Sequence, residues 1–256
     1  MTTQWSTGKN RLLKYMVGAT LAVVLFAFTA ILPPVEAAGN ANPRILPPQS
    51  TPYGLTYGDW VAEWWTWAVS IPAAENPILD ETGQFAAVGQ SGPVWFLAGT
   101  FGESASRVVT VPRGKALFFP IFNSLWWAPD DLDDASWLAG ELGYDASAMT
   151  AEELIRLIAN YQVDFATSMS VTIDGVPITG LDAYRAESCP TPLTDTDLLD
   201  DLGAEISQPN FAIGAGYWLL VAPLPVGEHT IQFAVESDNP VFGPFTLDVT
   251  YDITVK

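Results

Sequence analysis

Four aspartates crowd five positions of the chain, Asp130, Asp131, Asp133 and Asp134, and three tryptophans stand close to them, Trp126, Trp127 and Trp137. Carboxylate oxygens at that spacing suit a hard cation such as calcium, which gathers about six to eight oxygen ligands. Indole rings beside carboxylates suit a sugar, because a flat ring stacks on the apolar face of a pyranose, and exposed aromatic patches mark binding surfaces. The run is not an EF-hand. Counted from Asp131, Ser136 stands where that loop needs glycine and Leu142 where it needs glutamate. A second acidic group, Asp195, Asp197, Asp200 and Asp201, offers similar chemistry. The rival readings are solvated acidic loops and rings that staple a long loop to the core.

Catalytic patterns are sparse. The chain has one histidine, His229, and no Gly-x-Ser-x-Gly elbow to pair with it. His229 shares strand parity with Ile231 and Phe233, so it reads as a structural residue near a sheet edge. Cys189 as a nucleophile would need that same histidine, and acidic neighbours such as Glu187 raise a thiol pKa. Gly114-Lys115 lacks the hydroxyl residue of a phosphate loop, and Gly214-Ala215-Gly216 lacks its third glycine. Asp59 and Glu63 are carboxylates near Trp60 and Trp67, as glycan hydrolysis would use. At helical spacing, however, they lie on the side opposite the aromatic stripe.

Charge narrows the partners. The 29 acidic against 10 basic residues of this 256-residue chain give −19, which excludes a nucleic-acid surface, since phosphate needs Lys and Arg. One Cys and one His leave no disulfide within the chain and no Cys/His zinc site. Lys9, Arg11 and Lys14 precede an apolar run at 16–32, followed by Val35-Glu36-Ala37. That order is a secretory signal peptide, with cleavage expected after Ala37 and a periplasmic or extracellular destination. The alternative is an uncleaved anchor at 16–32, the one membrane contact expected.

These groups must be positioned by the elements that follow. Residues 38–52 hold four prolines and read as an extended leader. Thr56 and Asp59 open a helix at about 57–70, with Trp60, Trp64 and Trp67 aligned and Ile71 in phase, Val61, Trp65 and Ala68 extending the apolar face, and Pro72 ending it. Strand signals occupy Val94–Ala98, Arg107–Val111 and Lys115–Phe122, and an acidic, Trp-rich insertion is expected from Asn123 to Tyr144. Thr150 and Glu153 form a capping box for a second helix at about 151–167. From Met169 the period falls to two, and Phe245 to Val255 alternates most cleanly. With no strand–helix–strand alternation, the expected fold is mainly β: an antiparallel β-sandwich, immunoglobulin-like or jelly-roll-like, with two added helices and one domain over 53–256.

The segments MSVTIDG (169–175), APLPVGEHTIQF (222–233) and the terminal VTYDITV resemble bacterial immunoglobulin-like sandwich modules over the last third of the chain. The segments YGDWVAEWWTWAVSIP, NPILDETG, GPVWFLAGTFG and VPRGKALFFPIFN resemble a family of exported bacterial proteins. Neither resemblance implies an activity or supplies catalytic residues. The functional expectation is an exported, non-enzymatic binding protein for a carbohydrate or surface polymer, with Trp126, Trp127 and Trp137 as ligand rings and Asp130, Asp131, Asp133 and Asp134 as a calcium site. The alternatives are a secreted glycan hydrolase and a structural surface component.

Overall fold

Nine strands and four α-helices are laid down by residues 45–256, the part of the chain that the computed structural model describes. The expected signal peptide at 1–37, its alternative as an anchor at 16–32, and the start of the leader lie outside the described residues. Among the described residues no helix is long and apolar enough to cross a membrane.

The strands are β1 (Val94–Phe96), β2 (Ser104–Val111), β3 (Ala116–Ala128), β4 (Ala166–Ile173), β5 (Val176–Pro177), β6 (Arg185–Glu187), β7 (Phe211–Val221), β8 (Gly227–Asn239) and β9 (Gly243–Val255). The helices are α1 (Tyr57–Val69), α2 (Leu132–Glu141), α3 (Ala151–Val163) and α4 (Asp197–Asp201). One sheet has the order β1-β3-β7-β6 and the other β2-β9-β8-β4-β5. The fold is mainly β, but both sheets are mixed, which corrects the expected purely antiparallel arrangement: β1 pairs parallel with β3, and β2 parallel with β9. The chain leaves the first sheet after β1, forms β2 in the second, and returns to lay β3 beside β1 in the same direction. Side-chain alternation reports which face is buried and carries no record of a partner's direction.

The sheets meet through rings. Phe119 stacks on Phe233 at 5.1 Å, and Phe122 on Phe245 at 5.3 Å. A register shift between Pro120 and Phe122 exchanges the two faces of β3, so that Phe118 and Phe122 serve opposite sides. Beyond Phe122 the space on that side is filled by α3, where Ser124 Oγ donates to the Ala159 carbonyl at 2.8 Å. The other face of the first sheet is covered by α1. Its capping box forms as the sequence expects; Trp60, Val61, Trp64, Trp67, Ala68 and Ile71 are buried, and Trp65 is half-buried at the margin of that face. Trp64 meets Trp218 edge-on at 5.3 Å. The indole N–H groups of Trp60, Trp64 and Trp67 donate to the Pro52, Leu97 and Val88 carbonyls, so these rings are buried without losing a hydrogen bond. The second capping box also forms, but α3 stops at Val163 rather than 167, because β4 begins at Ala166. Ile45 and Leu46, expected in the leader, instead bridge β7 at Val221 and Leu220.

One interaction joins three parts of this frame. Alternation along β2 turns Arg107 inward, where it is 1% exposed. Its guanidinium donates to the carbonyls of Asp80, Ala98 and Gly99 and to the Tyr251 hydroxyl on β9. Tyr251 in turn donates to the Ala98 carbonyl and accepts from the Ala98 amide. Burial is the main influence raising the Tyr251 pKa, so the phenol remains protonated. Arg107→Met would leave these buried carbonyls unsatisfied and is expected to cost about 3–5 kcal/mol. Tyr251→Phe is expected to cost about 1–3 kcal/mol, and the double variant less than the sum because the two share one network. Urea unfolding of the purified chain measures all three.

Candidate functional site

The stretch expected as a Trp-rich insertion is a strand followed by a helix. β3 continues through Trp126 and Trp127, which pair with Ile213 and Ala212 of β7. A turn at Pro129–Asp131 then leads into α2.

The three tryptophans therefore separate. Trp126 is 3% exposed, packs against Phe242 at 5.4 Å, and donates its indole N–H to Gln162 Oε1 at 2.7 Å. Its expected place as an exposed ring is corrected: it is a core side chain under α3. Trp127, next along the strand, points to the opposite face. It lies half-buried against the cluster of Val69, Leu193 and Ala212, and its N–H reaches the Glu205 carbonyl at 3.3 Å. Trp137 stands on α2 and is 39% exposed.

The aspartates separate as well. Asp130 accepts from the amide and hydroxyl of Ser207 at 2.9 and 2.7 Å. Asp131 accepts from the Trp127 amide at 2.8 Å. Asp133 and Asp134 occupy the first turn of α2, where the helix dipole favours carboxylates. Among the described residues, no three His, Cys, Asp or Glu side chains gather as metal ligands. The four aspartates expected as a calcium site, Asp130, Asp131, Asp133 and Asp134, thus do not converge in this arrangement, because a tight turn entering a helix sends successive side chains in different directions. The second acidic group is likewise divided. Asp201 accepts from the Ala73 amide at 2.9 Å, and Asp200 from the Thr196 hydroxyl at 3.2 Å.

What remains on the surface is one face of α2. The helix buries Ala135, Leu138 and Ala139, which leaves Asp133, Trp137, Gly140 and Glu141 exposed at helical spacing. Residues four apart are neighbours on a helix, so a carboxylate lies one turn to each side of the Trp137 ring. A Cβ at Gly140 would meet nothing within 4 Å, so the surface beside the ring is open. Gly143 (φ +84) turns the chain, the Tyr144 amide bonds the Ala139 carbonyl at 2.9 Å, and the side chains of Leu142 and Tyr144 beyond the helix are exposed. This arrangement offers a ring to stack on and oxygen acceptors at its margins.

The other candidate groups have structural duties. The Asp59 carboxylate accepts from the Thr56 hydroxyl and amide at 2.7 and 2.8 Å, and those bonds hold its pKa below the usual range. Glu63 is exposed on the outer side of α1, and Cys189 is exposed. His229 Nδ1 lies 2.8 Å from Asp174 Oδ2, and Nε2 lies 2.9 Å from the Pro225 carbonyl. Two acceptors suit the doubly protonated ring. Burial alone would lower its pKa, but the Asp174 and Pro225 bonds, with the charges of Asp174 and Glu228, outweigh it and raise the value above 6.5. Sequence reasoning missed a charge network that ties α3 to β6. Arg156 pairs with Glu152 at 2.8 Å and with Glu187, Asn160 donates to Glu187 at 2.7 Å, and Arg185 pairs with Asp164 at 2.7 Å. Only the Glu152–Arg156 pair, four apart on one helix, was readable from spacing.

No family model matches this chain, and no curated protein matches it. The solution structure of amebosin is similar over 59% of this chain and 96% of its own, with 8% identity and a TM-score of 0.18, too low to carry any argument.

Two expectations follow from the geometry. Trp126→Ala should destabilise the chain by about 3–5 kcal/mol, as a large core truncation does, whereas Trp137→Ala should stay within about 0.5 kcal/mol. Chemical unfolding of the two variants separates a core ring from a surface one. Because the folded His229 pKa is raised, its contribution to stability is full below pH 6.5 and is lost as pH rises through the folded value. Unfolding midpoints measured across that window should decline for the native chain, and the decline should flatten in His229→Gln.

Proposed function

We propose that the protein is an exported, non-enzymatic binding protein that takes a carbohydrate or carbohydrate-bearing surface polymer on the exposed face of α2. The observation that carries this reading is Trp137, 39% exposed, with Asp133 and Glu141 one helical turn to either side. The ring supplies the stacking platform, the carboxylates accept sugar hydroxyls, and Gly140 leaves room for a pyranose to lie against the indole. Trp127 and Tyr144 are the further aromatic candidates, the first half-buried and the second exposed. A helix surface is open on one side and brings no second carboxylate across from the first, as glycan hydrolysis requires. The immunoglobulin-like character of the frame is part of the same proposal. The long β8–β9 hairpin and the Asp174-Gly175 turn between β4 and β5 support it.

Depletion of the purified mature chain from solution by a panel of insoluble polysaccharides tests the reading. One polymer should remove the native chain, and Trp137→Ala should weaken that removal about tenfold, the loss of roughly one stacked ring. Trp126→Phe should leave it unchanged. Equal depletion of the Trp137→Ala variant would end the site assignment. Soluble sugar released into the tube would instead support the hydrolase.

A further inference from the structure

The second sheet has an unfinished edge. β4 is eight residues long, yet β5 pairs only with Thr172 and Ile173. The Ile178 amide donates to the Val171 carbonyl at 2.9 Å, and the chain then turns away through Gly180 (φ +72) to the buried Leu181. Between Ala166–Met169 on one side and Ile178–Asp182 on the other lies an open cleft of about 430 Å³.

Strand parity says what faces that cleft. In an antiparallel ladder the N–H and C=O of one residue point to the same side, and successive residues alternate. The register of β4 against β8 is continuous from Ser168 to Ile173. Since the Val171 carbonyl points away from β8 to meet Ile178, the Met169 N–H and C=O point away from β8 as well. They present a donor and an acceptor to the cleft at strand spacing, which is the recognition surface of strand addition. At the far end, the bulge at Thr167, between Ala166 and Ser168, closes the usable edge.

Charge selects the occupant. Among the described residues, the one ionisable side chain lining the cleft is Asp182. Glu236 stands across from Ser168 on β8, and the whole chain carries −19. A second copy would bring the same negative charge to an edge that offers no cation. We propose that the β4 edge is a strand-addition site for an extended, lysine- or arginine-bearing segment of another polypeptide, which would lie along Ser168–Ser170 in line with β5.

The test titrates the mature chain with a fluorescein-labelled hexapeptide of alternating lysine and valine, read by anisotropy and by amide shifts. Binding is expected, with shifts centred on Met169 and Thr179–Asp182. The variant Met169→Pro removes the edge N–H without touching the bonds to β8, a placement that edge strands tolerate, and should weaken binding at least tenfold with an unchanged circular dichroism spectrum. A fully N-methylated version of the same peptide, tested on the unaltered protein, should lose binding by a similar factor and needs no variant to fold. A glutamate–valine hexapeptide should bind at least tenfold more weakly than the lysine one. The proposal is overturned by absence of binding at millimolar peptide, by equal binding of the N-methylated or the acidic peptide, or by a folded Met169→Pro variant that binds as the native chain does. A concentration-dependent dimer dissolved by Met169→Pro, without peptide uptake, would assign the edge to a second copy and equally overturn it. Met169→Pro should leave polysaccharide depletion unaltered, and Trp137→Ala should leave peptide binding unaltered, so the two surfaces are judged separately.

Discussion

A guanidinium taken out of water must be met by oxygen on every donor edge, and that requirement at Arg107 organises much of the frame. Stripping such an ion of its hydration costs several kcal/mol unless the protein replaces the lost partners. The replacements here are main-chain carbonyls from two loops and one phenol. Loops that present carbonyls inward must be held by other bonds. Asp80 accepts from the Thr82 amide and hydroxyl and from the Phe85 amide; burial opposes its ionisation, but these bonds prevail and lower its pKa. Asn76, 1% exposed, donates to the Ala68 and Ile71 carbonyls at the end of α1 and accepts from the Ile78 amide. Through this one loop the aromatic helix is fastened to β2 and β9 of the opposite sheet.

The first sheet is buried on both faces, and its sequence reflects that. β7 runs as an almost unbroken apolar strand because α1 lies on one side and α3 packs on the other. Close approach of α1 depends on glycine: a Cβ at Gly214 would sit 2.4 Å from the Trp65 ring. Gly216 is equally constrained, with φ +158 and the Phe122 carbonyl 2.3 Å from where a Cβ would be. The register shift in β3 then lets one strand serve the sheet interface at Phe119 and the α3 packing at Trp126.

The legible parts of the fold were those written in local chemistry. Both capping boxes, the aromatic stripe of α1 and the alternation of β9 can be read from spacing because each is decided within a few residues. Strand direction cannot, since β1 and β3 become parallel only through an excursion into the other sheet. Trp126 and Trp127 were misread for a related reason. Two adjacent rings followed by proline and aspartates look like a loop, whereas a strand covered on both faces buries neighbours on opposite sides. The aspartate cluster misled because nearness in sequence is not convergence in space. The same run, seen as the first turn of α2, is a helix start, and that helix is what sets Trp137 on the surface.

The position of β9 has a consequence in time. It lies between β2 and β8, so Ser104–Val111 is paired with Gly243–Val255, far along the chain. The second sheet therefore cannot close before Gly243–Val255 has been made. β2 waits, with its hydrogen-bonding groups unmatched, until Gly243–Val255 has arrived, and contacts so distant in sequence form slowly. Any machinery that handles the polypeptide before that point meets β2 without its neighbour.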